Sequence, residues 1–359
     1  MLGRYKKKKE YGGEHLPCRY LTVVEDRGQC NFCGHPTARR WSVIAICLLS
    51  ILSPLTSHLS SLHAQESQTA YNFLRLPVSA HVAALGGENI TITDDDATVI
   101  FHNPALINGV SDRTINLNYM TYMEGAKTAS ATYVKGIGDR GTWGAIGQYM
   151  DYGTIHETTA DYQDLGTTSA RDIMLGGSFA YALTETLNGG ITAKVISSHI
   201  AGYSSLAVGV DLGLNYFDEE HDLSLSAVAK NLGGQVKAYD DTFERIPIDL
   251  QVGITKGLGN APLRFSLTMS RLNNWDEAFG RHLAVGVDVL LSQQIYVAAG
   301  YNFRRASQMK ISEGDGSSSH GAGLSVGGGL SLERFKLHVA YGKYHVSASS
   351  LLFNISYTL

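Results

Sequence analysis

From Asp112 onward the chain alternates apolar with small or polar residues at a period of two. Leu206, Val208, Val210, Leu212, Leu214 and Tyr216 are apolar, and Ala207, Gly209, Asp211, Gly213 and Asn215 stand between them. The same pattern runs through 283–289, 295–303 and 351–359. Strict alternation gives a strand two chemically different faces, one of them lodged in something apolar. About fourteen such runs are present, centred near 118, 131, 146, 177, 192, 211, 226, 252, 267, 286, 299, 326, 340 and 355. Each spans about nine to thirteen residues, near the length of a tilted transmembrane strand, whereas soluble sandwiches use about five or six.

The connections extend the pattern. Long polar stretches follow the third, fifth, seventh, ninth and eleventh runs: 152–170, 198–205, 232–245, 272–280 and 305–319. Tight links follow even runs, among them Thr184-Glu185-Thr186, Asp218 to His221 and Glu333-Arg334. Long loops on one side and short turns on the other characterise outer-membrane barrels. An even count returns the C-terminus to the side where the barrel began. The pattern therefore predicts an all-β fold, a transmembrane antiparallel β-barrel of about 14 strands over 112–359. The first and last hairpins are shorter than this rule expects.

The stretch 71–109 reads differently. An apolar, Ala-rich helix is expected over 78–85, with Pro77 before it and Gly86-Gly87 ending it. Residues 88–92 alternate like a strand, Asp94-Asp95-Asp96 reads as a solvated polar turn, and Asn103-Pro104 stops a second apolar run. So short a segment cannot bury its own apolar side chains. It is expected to lie within the barrel as an N-terminal hatch covering 65–111.

Two resemblances rest on this stretch. The run FLRLPVSAHVAALGGENITITDDD, followed by FHNPALI, resembles the N-terminal signature of the PorQ family of the type IX secretion system of Bacteroidetes. The glycine pair, the acidic turn and Asn103-Pro104-Ala105 are similar, more distantly, to the hatch of FadL-like and PorV-like barrels. The first resemblance implies a non-enzymatic component of the attachment complex in the outer membrane of a Gram-negative bacterium. It would work with PorU, PorV and PorZ, anchor the surface subunit PorZ, and support cargo processing and attachment to lipopolysaccharide. Gly86, Gly87, Asp94, Asp95, Asp96, Asn103, Pro104 and Ala105 would then be structural hatch residues. The second implies a transporter of hydrophobic small molecules, with an apolar pocket near the hatch and a lateral opening at a kinked strand. Gly327-Gly328-Gly329 would mark such a kink, or would let a hatch side chain pack close.

Upstream, Arg39-Arg40 precedes a short apolar core and SLHA, which reads as a secretory signal over 41–64 cleaved after Ala64. Leu62 departs from the small residue usual two positions before the cut. Residues 1–40 are either an unusual extension or the product of a start assigned upstream of one nearer Val43. All four cysteines, Cys18, Cys30, Cys33 and Cys47, fall within this removable region. Cys30 and Cys33 form half a zinc pattern without its second pair. Lipidation at Cys47 is disfavoured because Ile46 stands where a small residue is needed. No cofactor, metal or disulfide is expected in the mature chain.

Composition narrows the partners. Charged residues make up 17%, with 39 Gly and 19 Tyr, which fits an outer-membrane barrel and equally a soluble all-β protein. Residues 1–40 hold nine Lys/Arg against four Asp/Glu, so the remainder carries 20 against 29, a balance of −9. A net acidic mature chain gives no basic face for nucleic acid.

Most motif matches have ordinary explanations. Gly323-Leu-Ser325-Val-Gly327 has the form of a nucleophile elbow, but Ser325 falls mid-strand on a polar face. Gly136-Ile-Gly138-Asp-Arg-Gly141 has the dinucleotide spacing, but a strand follows it. No catalytic residue is named. Loop aromatics are the better working parts. Tyr162, Tyr203, Tyr239, Phe243 and Trp275 are candidates for partner contact, with membership of an interfacial aromatic girdle as the competing reading.

Overall fold

The computed structural model describes residues 69–158, 164–309, 311–313, 316–318, 321–344 and 348–359. The extension, the signal segment and Tyr162 lie outside the described residues. Sixteen strands follow the hatch: β1 (Thr114–Thr121), β2 (Lys127–Ile137), β3 (Gly141–Thr158), β4 (Asp164–Ala182), β5 (Leu187–Ile200), β6 (Tyr203–Asp218), β7 (Leu223–Lys237), β8 (Asp249–Gly257), β9 (Leu263–Met269), β10 (Leu283–Leu290), β11 (Ile295–Asn302), β12 (Ile311–Glu313), β13 (Gly316–Ser318), β14 (Leu324–Ser331), β15 (Phe335–Gly342) and β16 (Ser350–Thr358). β12 and β13 form a separate small hairpin. The other fourteen close into one antiparallel barrel, sealed by β1 on β16 from Thr114↔Thr358 to Met120↔Leu352.

The faces are inverted relative to a soluble protein. On β1, Thr114, Asn116 and Asn118 are buried in the lumen, while Ile115, Leu117 and Tyr119 are exposed on the outer surface. On β16, Ser350, Asn354 and Ser356 point in, and Leu351, Phe353, Ile355 and Tyr357 point out. An apolar exterior around a hydrogen-bonded, closed sheet is the arrangement that lipid requires. Among the described residues no helix is long and apolar enough to cross a membrane.

Strand length divides the barrel into two walls. β3 and β4 have 18 and 19 residues, and β5, β6 and β7 have 14, 16 and 15. β8 to β11 and β14 to β16 have only seven to nine. At about 3.4 Å per residue, β4 is roughly 60 Å long, about twice what a tilted strand needs to cross the apolar band. Two expected loops are therefore mostly strand. Stretch 152–170 continues the β3–β4 ladder, and stretch 198–205 reduces to the turn Ala201-Gly202. Their polar composition marks the end of the lipid-facing band. It does not end the ladder, which needs only backbone partners.

The hatch is irregular. Ser79 caps the helix Ala80–Ala84, its side chain accepting from the Val82 N–H, and Gly86 and Gly87 end it with φ of 97° and 87°. Two 3₁₀ turns follow, Ala97–Phe101 and Pro104–Gly109. The strand expected over 88–92 does not form, because the Asn89 side chain accepts from the Thr91 and Ile92 N–H groups and no ladder partner is present.

Candidate functional site

The hatch fills the lumen, and each wall holds it differently. Toward β2–β6, Phe73, Ile100 and Ile107 join Val134, Ile146, Met150, Met174, Ile196 and Ala207 in one buried apolar cluster. Glycine permits the closest approach. A Cβ at Gly190 would run into the Pro104–Ala105 backbone, and one at Gly213 into the Asn103 side chain. Asn103 accepts from the Ala105 N–H at 3.0 Å and donates to the Ile90 carbonyl at 3.1 Å, so it caps the second 3₁₀ turn.

Toward β8–β16 the hatch helix packs Val82, Ala84 and Leu85 into a second apolar cluster with Tyr296, Ala298, Ala340 and Leu352, and an ionic and hydrogen-bonded grip is added to it. Arg264 on β9 holds Asp94 with both terminal nitrogens at 2.7 Å, and its Nε reaches Asp288 on β10 at 3.0 Å. His81 on the hatch helix lies between the same two acids, Nε2 at 2.8 Å from Asp288 and Nδ1 at 3.3 Å from Asp94. Burial opposes ionisation of Asp94, but the Arg264 guanidinium outweighs it and holds that carboxyl well below its usual range. Asp95 pairs with Lys336 on β15 and accepts from the Ser111 N–H. Asp96 takes the Thr98 N–H and the Ser79 hydroxyl. The solvated turn expected at 94–96 is thus three divided anchors. The cations that hold Asp94 and Asp95 lie far away in the chain, so local composition gave no sign of them, whereas Asp96 caps the next 3₁₀ turn locally.

Ser325 is one of these anchors. It is buried in β14, where its hydroxyl donates to the Ala84 carbonyl at 2.9 Å and accepts from the Gly86 N–H at 3.0 Å. It terminates the hatch helix. A Cβ at Gly327 would meet the Ala84 side chain, and β14 pairs with β11 and β15 without a register shift. Gly327 therefore makes room for the hatch and Gly329 for the Tyr296 ring, and the run does not kink the wall. Burial, with Lys230 nearby, lowers the His102 pKa well below its ordinary value, keeping the ring neutral, and its Nε2 accepts from the Ser79 N–H.

The opening is elsewhere. β7 pairs with β8 only from Leu223↔Lys256 to Lys230↔Asp249. Above that, 231–237 pairs with β6 alone, after a bulge at Asp211 where Asn231 takes φ 58°. Lys194 donates to Asp211 at 2.8 Å and also to Asn231, bracing the bulge from inside. The segment 238–248 replaces the missing ladder, and Ala70 N–H donates to the Arg245 carbonyl at 2.9 Å. Between this segment and the free edge of β7 lies a cavity of about 420 Å³. Gly234, Phe243, Ile246, Pro247 and Ile248 line it, with Arg75 and Arg271 on its polar side.

The aromatic candidates separate on this geometry. Tyr203, Phe243 and Trp275 are 60%, 65% and 61% exposed, at the start of β6 and in the segments after β7 and β9. Tyr239 is not exposed in this way: it packs on the upper hatch, stacked against Tyr71 at 6.4 Å, because 238–248 folds inward over the gap. Phe243 alone of the candidates lines the cavity. The cavity itself escaped sequence reasoning, since only ladder register reveals it. Among the described residues no cluster of three or more His, Cys, Asp or Glu could hold a metal.

No protein-family model matches the chain, and no curated protein matches it. Solved structures do. The toluene transporter TodX of Pseudomonas putida is similar at TM-score 0.51 and 14% identity, over 79% of this chain and 98% of that one. A TodX variant described as a monoaromatic hydrocarbon channel gives 0.54 and 14%, over 78% and 98%. The CymD monoaromatic hydrocarbon channel gives 0.50 and 13%, over 79% and 97%. At such identities the likeness is one of fold alone.

Proposed function

We propose that this chain is a hatch-plugged channel in the outer membrane of a Gram-negative bacterium, admitting apolar small molecules through the gap between β7 and β8. The observation that carries the reading is the unpaired upper half of β7 beside a cavity of about 420 Å³, within the usual size of a small-molecule site. The shared fold with hydrocarbon channels supports the reading as analogy. The test is saturable binding of toluene or a medium-chain alkane to the purified protein in detergent, followed by headspace depletion. Depletion no greater than that by empty micelles would reject the reading.

Three exposed aromatics favour a second reading. Tyr203, Phe243 and Trp275 occupy neighbouring segments on the side from which the long strands project, and such side chains anchor protein partners. With the PorQ-like hatch sequence, they support a non-enzymatic role in the type IX attachment complex, anchoring PorZ beside PorU and PorV. Recovery of those subunits with tagged protein from solubilised outer membranes would favour this role. Recovery of the barrel alone would count against it.

A further inference from the structure

Below the main cavity lies a water-sized void of about 10 Å³ lined by Arg75, Glu88, His102, Lys230, Asp249 and Arg271. Arg75 and Arg271 line both spaces, so the void is the throat between cavity and hatch. Here two carboxylates share one donor. Gln251 Nε2 lies 2.7 Å from Asp249 Oδ2 on β8 and 3.3 Å from Glu88 Oε2 on the hatch. The other Asp249 oxygen accepts from the Arg271 N–H at 2.6 Å. Glu88 stands directly after Gly86 and Gly87, whose positive φ makes them a natural hinge. Beyond Glu88 the hatch touches the wall again at Thr91, 2.6 Å from the Thr255 hydroxyl.

We infer that Glu88, Gln251 and Asp249 form a proton-operated latch, which holds residues 88–92 against β8 when Glu88 is neutral and loosens them when it ionises. The inference deepens the channel reading and rests on it for its biological use. An ionised Glu88 would place two anions on the one Gln251 amide. The groups facing it come from every neighbouring element: Arg75 on the hatch, Lys230 on β7, Asp249 on β8 and Arg305 on the short helix after β11. Tyr344 stands nearby, and His102 and Arg271 complete the throat. Burial, then Asp249, push the Glu88 carboxyl up to about 7, against the pull of Lys230, Arg305 and Arg75. Because the folded value is raised, the latch contributes fully below the ordinary carboxylate pKa of 4.5 and is lost as pH rises through about 7.

The test is amide hydrogen exchange of the full mature chain in detergent from pH 6 to pH 8.5, corrected for base catalysis, with residues 105–109 as internal reference. Protection of 88–92 is expected to fall about tenfold relative to the reference in the wild type, the effect of roughly 1.4 kcal/mol of opening energy, and to stay level in Glu88→Gln. Should Glu88→Gln fail to fold, Asp249→Asn removes the same repulsion and should also stay level. Wild-type protection that does not change with pH, or the same fall in the substituted proteins, would overturn the latch. The readout uses no transported ligand, so loss of the channel reading and loss of the latch remain distinguishable.

Discussion

Along β2–β6 the hatch meets methionine, isoleucine and valine, and along β8–β16 it meets arginine, aspartate, lysine and serine beside a smaller apolar cluster. The first contact is shape-driven and tolerates small rotations, whereas the second specifies individual atoms. A segment with so little regular structure cannot position itself. The ionic wall supplies register, and the apolar wall supplies the larger share of the burial. The gap falls at the junction between them, where β7 continues upward and β8 does not. The mismatch in strand length thus leaves the upper half of β7 unpaired on its β8 side.

The contrast is broken most severely at Arg264. Arg264→Met leaves Asp94 and Asp288 without their shared cation and is expected to cost about 3–5 kcal/mol, read as a lower midpoint in urea unfolding. On the apolar wall, Ile100→Ala should cost about 2–4 kcal/mol through the cavity it leaves, with no change in salt dependence. A close-approach site tests the β8–β16 wall by sterics rather than charge. Gly300→Ala would drive a Cβ into the hatch backbone at Leu85 and Gly86, costing about 1–3 kcal/mol by overpacking. Gly234→Ala faces open space and should leave stability nearly unchanged. The smallest effect belongs to the rim. Tyr203→Ala and Trp275→Ala should each shift stability by less than about 0.5 kcal/mol, while lowering recovery of any surface partner in a pull-down.

Much of this could be read from the chain. Alternation located all fourteen barrel strands, because lipid outside and polar groups inside impose the period on each one separately. The Gly86-Gly87 stop and the Asn103 cap could be read for a similar reason, since backbone geometry there is decided within a few residues. What failed was non-local. The upper β3–β4 ladder looked like a loop, because polar Thr and Ser pair as readily as apolar residues once the lipid band is passed. Asp94 and Asp95 looked solvated, because Arg264 and Lys336 stand 170 and more positions away. The strand expected at 88–92 lacked a partner that no local pattern reports. The gap between β7 and β8 is a matter of register alone.

The central claim is that small molecules pass through that gap and its cavity. The direct measurement is the initial rate of toluene uptake into proteoliposomes carrying wild type or Gly234→Trp. The added indole would enter the cavity from a position with no heavy atom within 4 Å of its Cβ, so folding should be preserved and can be checked by heat-modifiable electrophoretic mobility. The account predicts at least a tenfold fall in rate with an intact barrel. An unchanged rate in a folded Gly234→Trp barrel would contradict it.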